Sequence, residues 1–234
     1  YYKRAIECID FMKREVNISF YYYSQTFCYI ELSTLVMQRR DAQQARMYLL
    51  KAVDCAETVL RMTADEEWMR KEAEFWKEIA EKIPDDFYVQ KQLSVAVSAQ
   101  MDTEGLRALA ECYCELGALA GLEADHEGAK DYYRKASEAA GRLSAYNRSA
   151  DILYLSARCS AQMCGAAAAE GDLRSAASHF YKMTEILDSI PPEARDDSLE
   201  LQAFLPCMGL GDCFSQAGDV ELAKDYLTRS IRCL

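Results

Sequence analysis

The stretch GLGDCFSQAGDVELAKDYLTRSI, residues 209–231, has the pattern of two short helices joined at an Ala-Gly-Asp corner. Gly211 and Ala223 are small residues at positions where the two helices of such a hairpin must approach closely. Asp219 directly precedes the second periodic segment, where an aspartate can accept hydrogen bonds from the unpaired backbone N–H groups of a helix start. Whether this pattern occurs once or repeats decides the fold.

The pattern recurs at three other places in the chain. Each copy has a large residue, a small residue, a corner ending in Asp, a central alanine and a second large residue. In chain order the copies run Tyr29-x2-Leu32-Ser33-x2-Val36 with Asp41, Ala45, Leu49 and Ala52; Tyr113-x2-Leu116-Gly117-x2-Ala120 with Asp125, Ala129, Tyr133 and Ala136; and a weaker Met163-Cys164-x2-Ala167 with Gly171, Asp172, Ala176, Phe180 and Met183.

These spacings resemble the tetratricopeptide repeat, a helix-turn-helix unit with small and aromatic residues at fixed offsets. The resemblance implies an all-α fold, a right-handed superhelical stack of antiparallel helix hairpins. Residues 1–234 would then form a single repeat domain. The start at Tyr1 leaves open that this domain is part of a longer protein. A truncated second helix is expected near Ala5, Ile9 and Met12, and a divergent pair without the signature over residues 63–101.

The repeats are longer than those of the family. The central alanines at 5, 45, 129, 176 and 223 are separated by 40, 84, 47 and 47 residues, whereas the family period is about 34. Longer helices account for the surplus, so we expect helices of about 20 residues, or about 30 Å.

Prolines and helix-capping residues predict the helix boundaries. Proline occurs only at positions 84, 191, 192 and 206, and no run alternates with the period of a strand. We expect helix-capping side chains at Asp41, Asp125, Asn147, Asp172 and Asp219.

Charge and cysteine spacing exclude several classes of function. Lys and Arg number 27 against 38 Asp and Glu, a net charge of −11, which repels nucleic acid and anionic membranes. The ten cysteines show no C-x-x-C pair, and only two histidines are available, so we expect reduced thiols in a cytoplasmic protein and neither a metal site nor a cofactor. No apolar stretch approaches a membrane span of about 18 residues.

Enzyme signatures are also missing. The chain has no G-x-x-x-x-G-K-[ST], G-x-G-x-x-G, H-E-x-x-H or G-x-S-x-G motif, so no catalytic residue is predicted and the protein is not expected to be an enzyme.

The resemblance implies instead a scaffold that binds a protein or peptide partner in a concave groove lined by the first helix of each hairpin. Carried over by position, the groove residues are Ile30, Thr34, Met37, Gln38, Cys114, Ala118, Leu122, Arg158, Ala161, Gly165, Met208, Asp212 and Ser215. They lack the Lys and Asn clamp with which some members grip a terminal carboxylate. Their small and apolar character favours an amphipathic helix or an apolar peptide.

Three alternatives stay open at this point. The concavity could be filled by the protein's own helices or by a second copy in a homodimer. The chain could be a sensor or regulatory module of a larger bacterial-type regulator. A small-ligand binder or enzyme would require a closed pocket with convergent polar groups.

Overall fold

The computed structural model describes residues 3, 4, 6, 19–82, 100–191, 194, 208–212, 214, 215 and 218–232. Over these ranges the regular secondary structure is helical and no strand occurs. This confirms the all-α class. No helix within the same ranges combines the length and apolarity that crossing a membrane requires.

Eight helices have bounds set entirely by described residues. They are α1 Ser19–Gln38, α2 Ala42–Thr63, α3 Glu66–Lys82, α4 Gln100–Leu122, α5 His126–Tyr146, α6 Ala150–Ala169, α7 Leu173–Asp188 and α8 Val220–Arg232. Residues 208–212, 214 and 215 are also helical and precede α8. Six of the eight have 17 to 23 residues, close to the expected length, and the shorter ones are α7 with 16 and α8 with 13.

The chain divides into two compact units, residues 1–112 and 113–234, and the boundary falls inside α4. In the first unit α1 packs along α2, and α2 contacts α3. In the second unit α6 packs along both α5 and α7. The single domain expected over 1–234 stays a prediction.

Four corners share one backbone geometry. The residue before the capping aspartate has a positive φ, 60° at Arg40 and Ala124, 78° at Gly171 and 82° at Gly218. The aspartate N–H then donates to the carbonyl five residues earlier, over 3.1 Å from Asp41 to Val36, 2.9 Å from Asp125 to Ala120, 3.0 Å from Asp172 to Ala167 and 2.9 Å from Asp219 to Phe214. This is the Schellman pattern that satisfies the last carbonyls of a helix.

The same aspartates start the next helix. One carboxylate oxygen of each accepts from the backbone N–H three residues later, and the donors are Gln44, Gly128 and Ser175 at 3.0 Å and Leu222 at 3.2 Å. The four predicted caps are therefore confirmed. The fifth is wrong, because α6 begins at Ala150 with Ser149 as its capping residue, and Asn147 ends α5 instead.

Small residues set the spacing within the hairpins. A Cβ at Gly211 would lie 2.6 Å from Leu227 Cγ, so any side chain there would displace Leu227. The central alanines are all buried, namely Ala45, Ala129, Ala176 and Ala223. Each of them lies 12 residues after the small residue of its hairpin, so the two close-contact positions have the same separation in all four hairpins.

Aromatic and sulfur-containing side chains fill the remaining core. In the first unit Cys28, Leu32 and Tyr48 pack with Ile6. In the second unit the rings of Phe214 and Tyr226 stack at a centroid distance of 5.3 Å. The expected truncated helix at Ala5, Ile9 and Met12 and the second half of the divergent pair lie outside the described residues, whereas α3 is the first half of that pair.

Candidate functional site

The first helices of the second unit are direct neighbours. Cys114 Sγ of α4 lies 3.4 Å from Cys159 Sγ of α6. On the surface beside this pair, Arg158 forms an ion pair with Glu115. The two contacts fix α4 and α6 side by side.

Helical residues 208–212, 214 and 215 lie on the next first helix. Its Leu210 and Phe214 belong to one buried cluster with Cys164 and Ala167 of α6. Apolar side chains of α6 and of residues 208–212, 214 and 215 thus share one core, and Cys114 and Cys159 join α4 to α6.

Each of these helices leaves one stripe of side chains unburied. We call the combined surface the first-helix face, and it consists of Glu115, Ala118, Leu122, Arg158, Ala161, Gly165, Met208, Asp212 and Ser215. Leu122 is 77% exposed and Met208 is 38% exposed. Ala118 and Ala161 are half-buried and Gly165 is exposed. The face therefore combines small residues with two accessible apolar side chains.

Cys114 takes a different place from the one expected from the repeat. It is 1% exposed and directed at Cys159, so its side chain offers no contact surface. Glu115, the following residue, occupies the accessible position. The sequence analysis missed Glu115, and the only signal was its charge next to the apolar residues Cys114 and Leu116.

Electrostatics tie Arg158 to α4. Burial alone would lower the pKa of Arg158, but the nearby Glu115 carboxylate and Cys114 raise it above the ordinary value. Tyr133 lies beneath the same helices, where burial, Cys114 and Glu115 raise the pKa of its phenol to about 12. Both side chains keep their usual protonation state at neutral pH.

The first unit offers a corresponding stripe on α1. Thr34 and Gln38 are exposed and Ile30 and Met37 are half-buried. Phe27 on the same stripe is 53% exposed. Thr34 Oγ1 donates to the Ile30 carbonyl at 3.2 Å, which occupies its hydroxyl hydrogen.

Side chains that could hold a metal ion do not converge in the part of the chain that the structure describes. Within the described ranges, no group of three or more His, Cys, Asp or Glu side chains has metal-binding proximity. The cysteines described are all buried and none forms a disulfide, namely Cys28, Cys55, Cys112, Cys114, Cys159 and Cys164.

Comparisons with known proteins add information on the fold alone. A scan against models of protein families finds no match, and no curated protein matches the sequence. Among solved structures, the chain is similar to "Crystal structure of BtubC (BKLC) from P. vanneervenii", with 16% sequence identity and a TM-score of 0.50. The match covers 99% of this chain and 87% of that chain.

Proposed function

We propose that this protein is a tetratricopeptide-like α-solenoid that binds a protein or peptide partner on the stripes of its first helices. The observation that carries the proposal is the identical geometry of the four corners. Because the four hairpins whose corners are described turn through the same Schellman motif and aspartate cap, their first helices can stack with the same side outward. Such arrays bury a continuous core and display an extended surface on one side.

The chemistry of the first-helix face favours an apolar helix or peptide. The small residues of this face allow the backbone of a partner to approach closely, namely Ala118, Ala161 and Gly165. At the edges of the face, Leu122 and Met208 can contact apolar side chains of the partner. Glu115 and Arg158 already neutralise each other. An amphipathic helix that lays its apolar side into such a surface is a common mode of recognition.

The thiol chemistry supports a cytoplasmic location within this proposal. The six described cysteines are buried and none of them forms a disulfide, which is typical of proteins in compartments that keep thiols reduced. Burial raises the pKa of Cys28, which further lowers its reactivity.

The experiment is site-specific photo-cross-linking in lysate of the source cells. A benzophenone amino acid replaces Ala118, Ala161 or Gly165 on the first-helix face, and Ser178 on α7 serves as the control because it is exposed on a second helix. We expect the three positions on the face to give the same adduct and Ser178 to give none. Equal adducts from Ser178 would contradict the proposal, and an adduct of twice the chain mass would identify a second copy as the occupant.

Substitutions test the same surface by affinity. Gly165→Arg and Ala161→Arg place a long charged side chain on the face and should weaken binding of the cross-linked partner at least about tenfold. Ser178→Arg adds the same charge elsewhere and should leave the affinity unchanged. Circular dichroism of each variant checks that the helices are retained.

A further inference from the structure

The second unit contains a cavity of about 320 Å³ that the proposed function does not use. It opens between α5, α6 and α7. Its polar lining comes from Ser137, Ser144, Arg148, Ser156 and Lys182. These five side chains lie on three separate segments, so only the packing of the helices brings them together.

Two positively charged side chains, Arg148 and Lys182, line this cavity. Within the part of the chain that the structure describes, neither Arg148 nor Lys182 forms an ion pair. Other cations of this unit are paired with acids, namely Lys130, Arg134, Lys135 and Arg158. In a chain of net charge −11, the cavity is a local positive site.

Hydroxyl groups supply hydrogen-bond donors beside these charges. Ser144 Oγ and Ser156 Oγ are 2.9 Å apart, and Ser144 Oγ also reaches the Ala140 carbonyl at 2.8 Å. A hydroxyl hydrogen rotates to suit its surroundings, so a ligand oxygen can replace one of these partners. Ser137 is half-buried at the same cavity and adds a third hydroxyl.

The remaining lining is apolar or small. Leu153 is buried and Ile186 is half-buried, and together they give the cavity an apolar side. A Cβ at Gly141 would meet no atom within 4 Å, which leaves space for a ligand next to α5. A volume of about 300 Å³ is at the small end of those that hold organic ligands.

We infer that this cavity binds a phosphate monoester attached to a small apolar group. A phosphate monoester carries a charge of about −1.5 to −2 at pH 7 and has three strong acceptor oxygens. It therefore matches two cations and three hydroxyls better than a carboxylate, which has one negative charge and two oxygens. The apolar side formed by Leu153 and Ile186 receives the organic group.

The site is independent of the first-helix face. Ser156 is two positions from Arg158 on α6, and residues two apart on a helix point to different sides. The phosphate site can therefore fail its test while partner binding holds, or the reverse.

Isothermal titration calorimetry on the full chain tests the site with phenyl phosphate, benzoate and inorganic phosphate. We expect phenyl phosphate to bind more tightly than the other two. Lys182→Gln and Arg148→Gln should each weaken phenyl phosphate at least about tenfold, as loss of a hydrogen bond to a charged group does. The matched control is Arg142→Gln, an exposed arginine on α5 that does not line the cavity.

Each outcome decides the proposal. Absence of phenyl phosphate binding, equal affinity for benzoate, or an equal loss in Arg142→Gln would overturn it, the last because it would show binding to the general surface charge. If Lys182→Gln or Arg148→Gln lowers the melting temperature of the protein, Ser137→Asp is tested in its place. This variant should abolish phenyl phosphate binding, because it adds a negative charge to the lining of the cavity. A phosphoserine peptide that binds more tightly than phenyl phosphate would identify the source as a modified chain, and equal binding would identify a small metabolite.

Discussion

Gly117 of α4 and Tyr133 of α5 fit each other in a way that excludes any side chain at position 117. A Cβ there would lie 2.5 Å from Tyr133 Cε1 and 2.6 Å from Cδ1. Tyr133 is buried in a cluster with Ala120 and Ala129. The ring therefore occupies the space that the missing side chain leaves, and the two helices approach through this contact.

Gly117→Ala should destabilise the protein by about 1–3 kcal/mol, because the added methyl group overpacks the contact with Tyr133. The control is Gly121→Ala on the same helix, where a Cβ meets nothing within 4 Å. That change should stabilise by about 0.5–1 kcal/mol through the helix preference of alanine. Urea denaturation measures both. Restoration of stability by Tyr133→Leu in the Gly117→Ala background would identify the ring as the cause, and equal effects of the two alanines would contradict the packing.

Ala129→Leu should destabilise the fold much more than Asp131→Ala. Ala129 is 3% exposed at the helix crossing, where extra methylene groups cost about 1–3 kcal/mol. Asp131 is exposed and pairs with Arg134 and Lys135, and each exposed helical pair contributes about 0.2–0.5 kcal/mol. Denaturation midpoints that shift equally, or more for the aspartate variant, would show that the hairpin is aligned to the repeat in the wrong register.

Substitutions at two equivalent corner residues should change the stability of the protein in opposite directions. Ala124 has a φ of 60°, a conformation that costs a residue with a Cβ about 1 kcal/mol. Ala124→Gly should therefore stabilise the protein by up to about 1 kcal/mol, and Gly171→Ala at the equivalent corner should destabilise by about the same amount. Thermal melts of both variants check this. Two shifts of the same sign would contradict the shared geometry.

His179 should make stability depend on pH. Burial lowers the pKa of His179, repulsion from Lys182 lowers it further, and Asp172 offsets this in part. The unfolded imidazole, with a pKa of about 6.5, therefore takes up its proton before the folded one as the pH falls. The contribution of His179 to the free energy of unfolding is therefore complete above about pH 7. It decreases as the pH falls through the pKa of the unfolded imidazole towards that of the folded one.

His179→Gln should flatten the stability curve between about pH 7 and 5. Lys182→Gln should raise the pKa of His179 by removing the repulsion, which an NMR titration of the imidazole measures. A curve of unchanged slope in His179→Gln would show that other groups set the pH dependence.

Cys114 and Cys159 should resist alkylation in the folded protein. The hydrogen bond between Cys159 and Cys114 and the burial of Cys159 both raise the pKa of the Cys159 thiol, and the thiolate is the reactive form. Mass spectrometry after iodoacetamide treatment should find both modified in urea and neither modified after the same time in buffer. A native disulfide between them, seen without reductant, would contradict a reduced core.

The sequence by itself determined the helices and their corners. Asp41, Asp125, Asp172 and Asp219 cap their own helix starts through neighbours three residues away. Small residues stand where the two helices of one hairpin meet, namely Ser33, Gly117, Cys164 and Gly211. These features depend on contacts near in sequence, so spacing and residue type are sufficient. The same reasoning failed at Asn147, because Ser149 lies nearer to the true start of α6.

Only the tertiary structure decided which side chains become neighbours across hairpins. Cys114 faces Cys159 over 45 residues of sequence, which moved the accessible position of α4 to Glu115. The cavity between Arg148, Ser137 and Lys182 likewise combines three segments. The repeat pattern gives every hairpin the same small and aromatic positions, but the rotation with which one hairpin packs on the next depends on the particular side chains in contact. That rotation determines which charged side chains face one another, and the spacing of residues within one hairpin does not predict it.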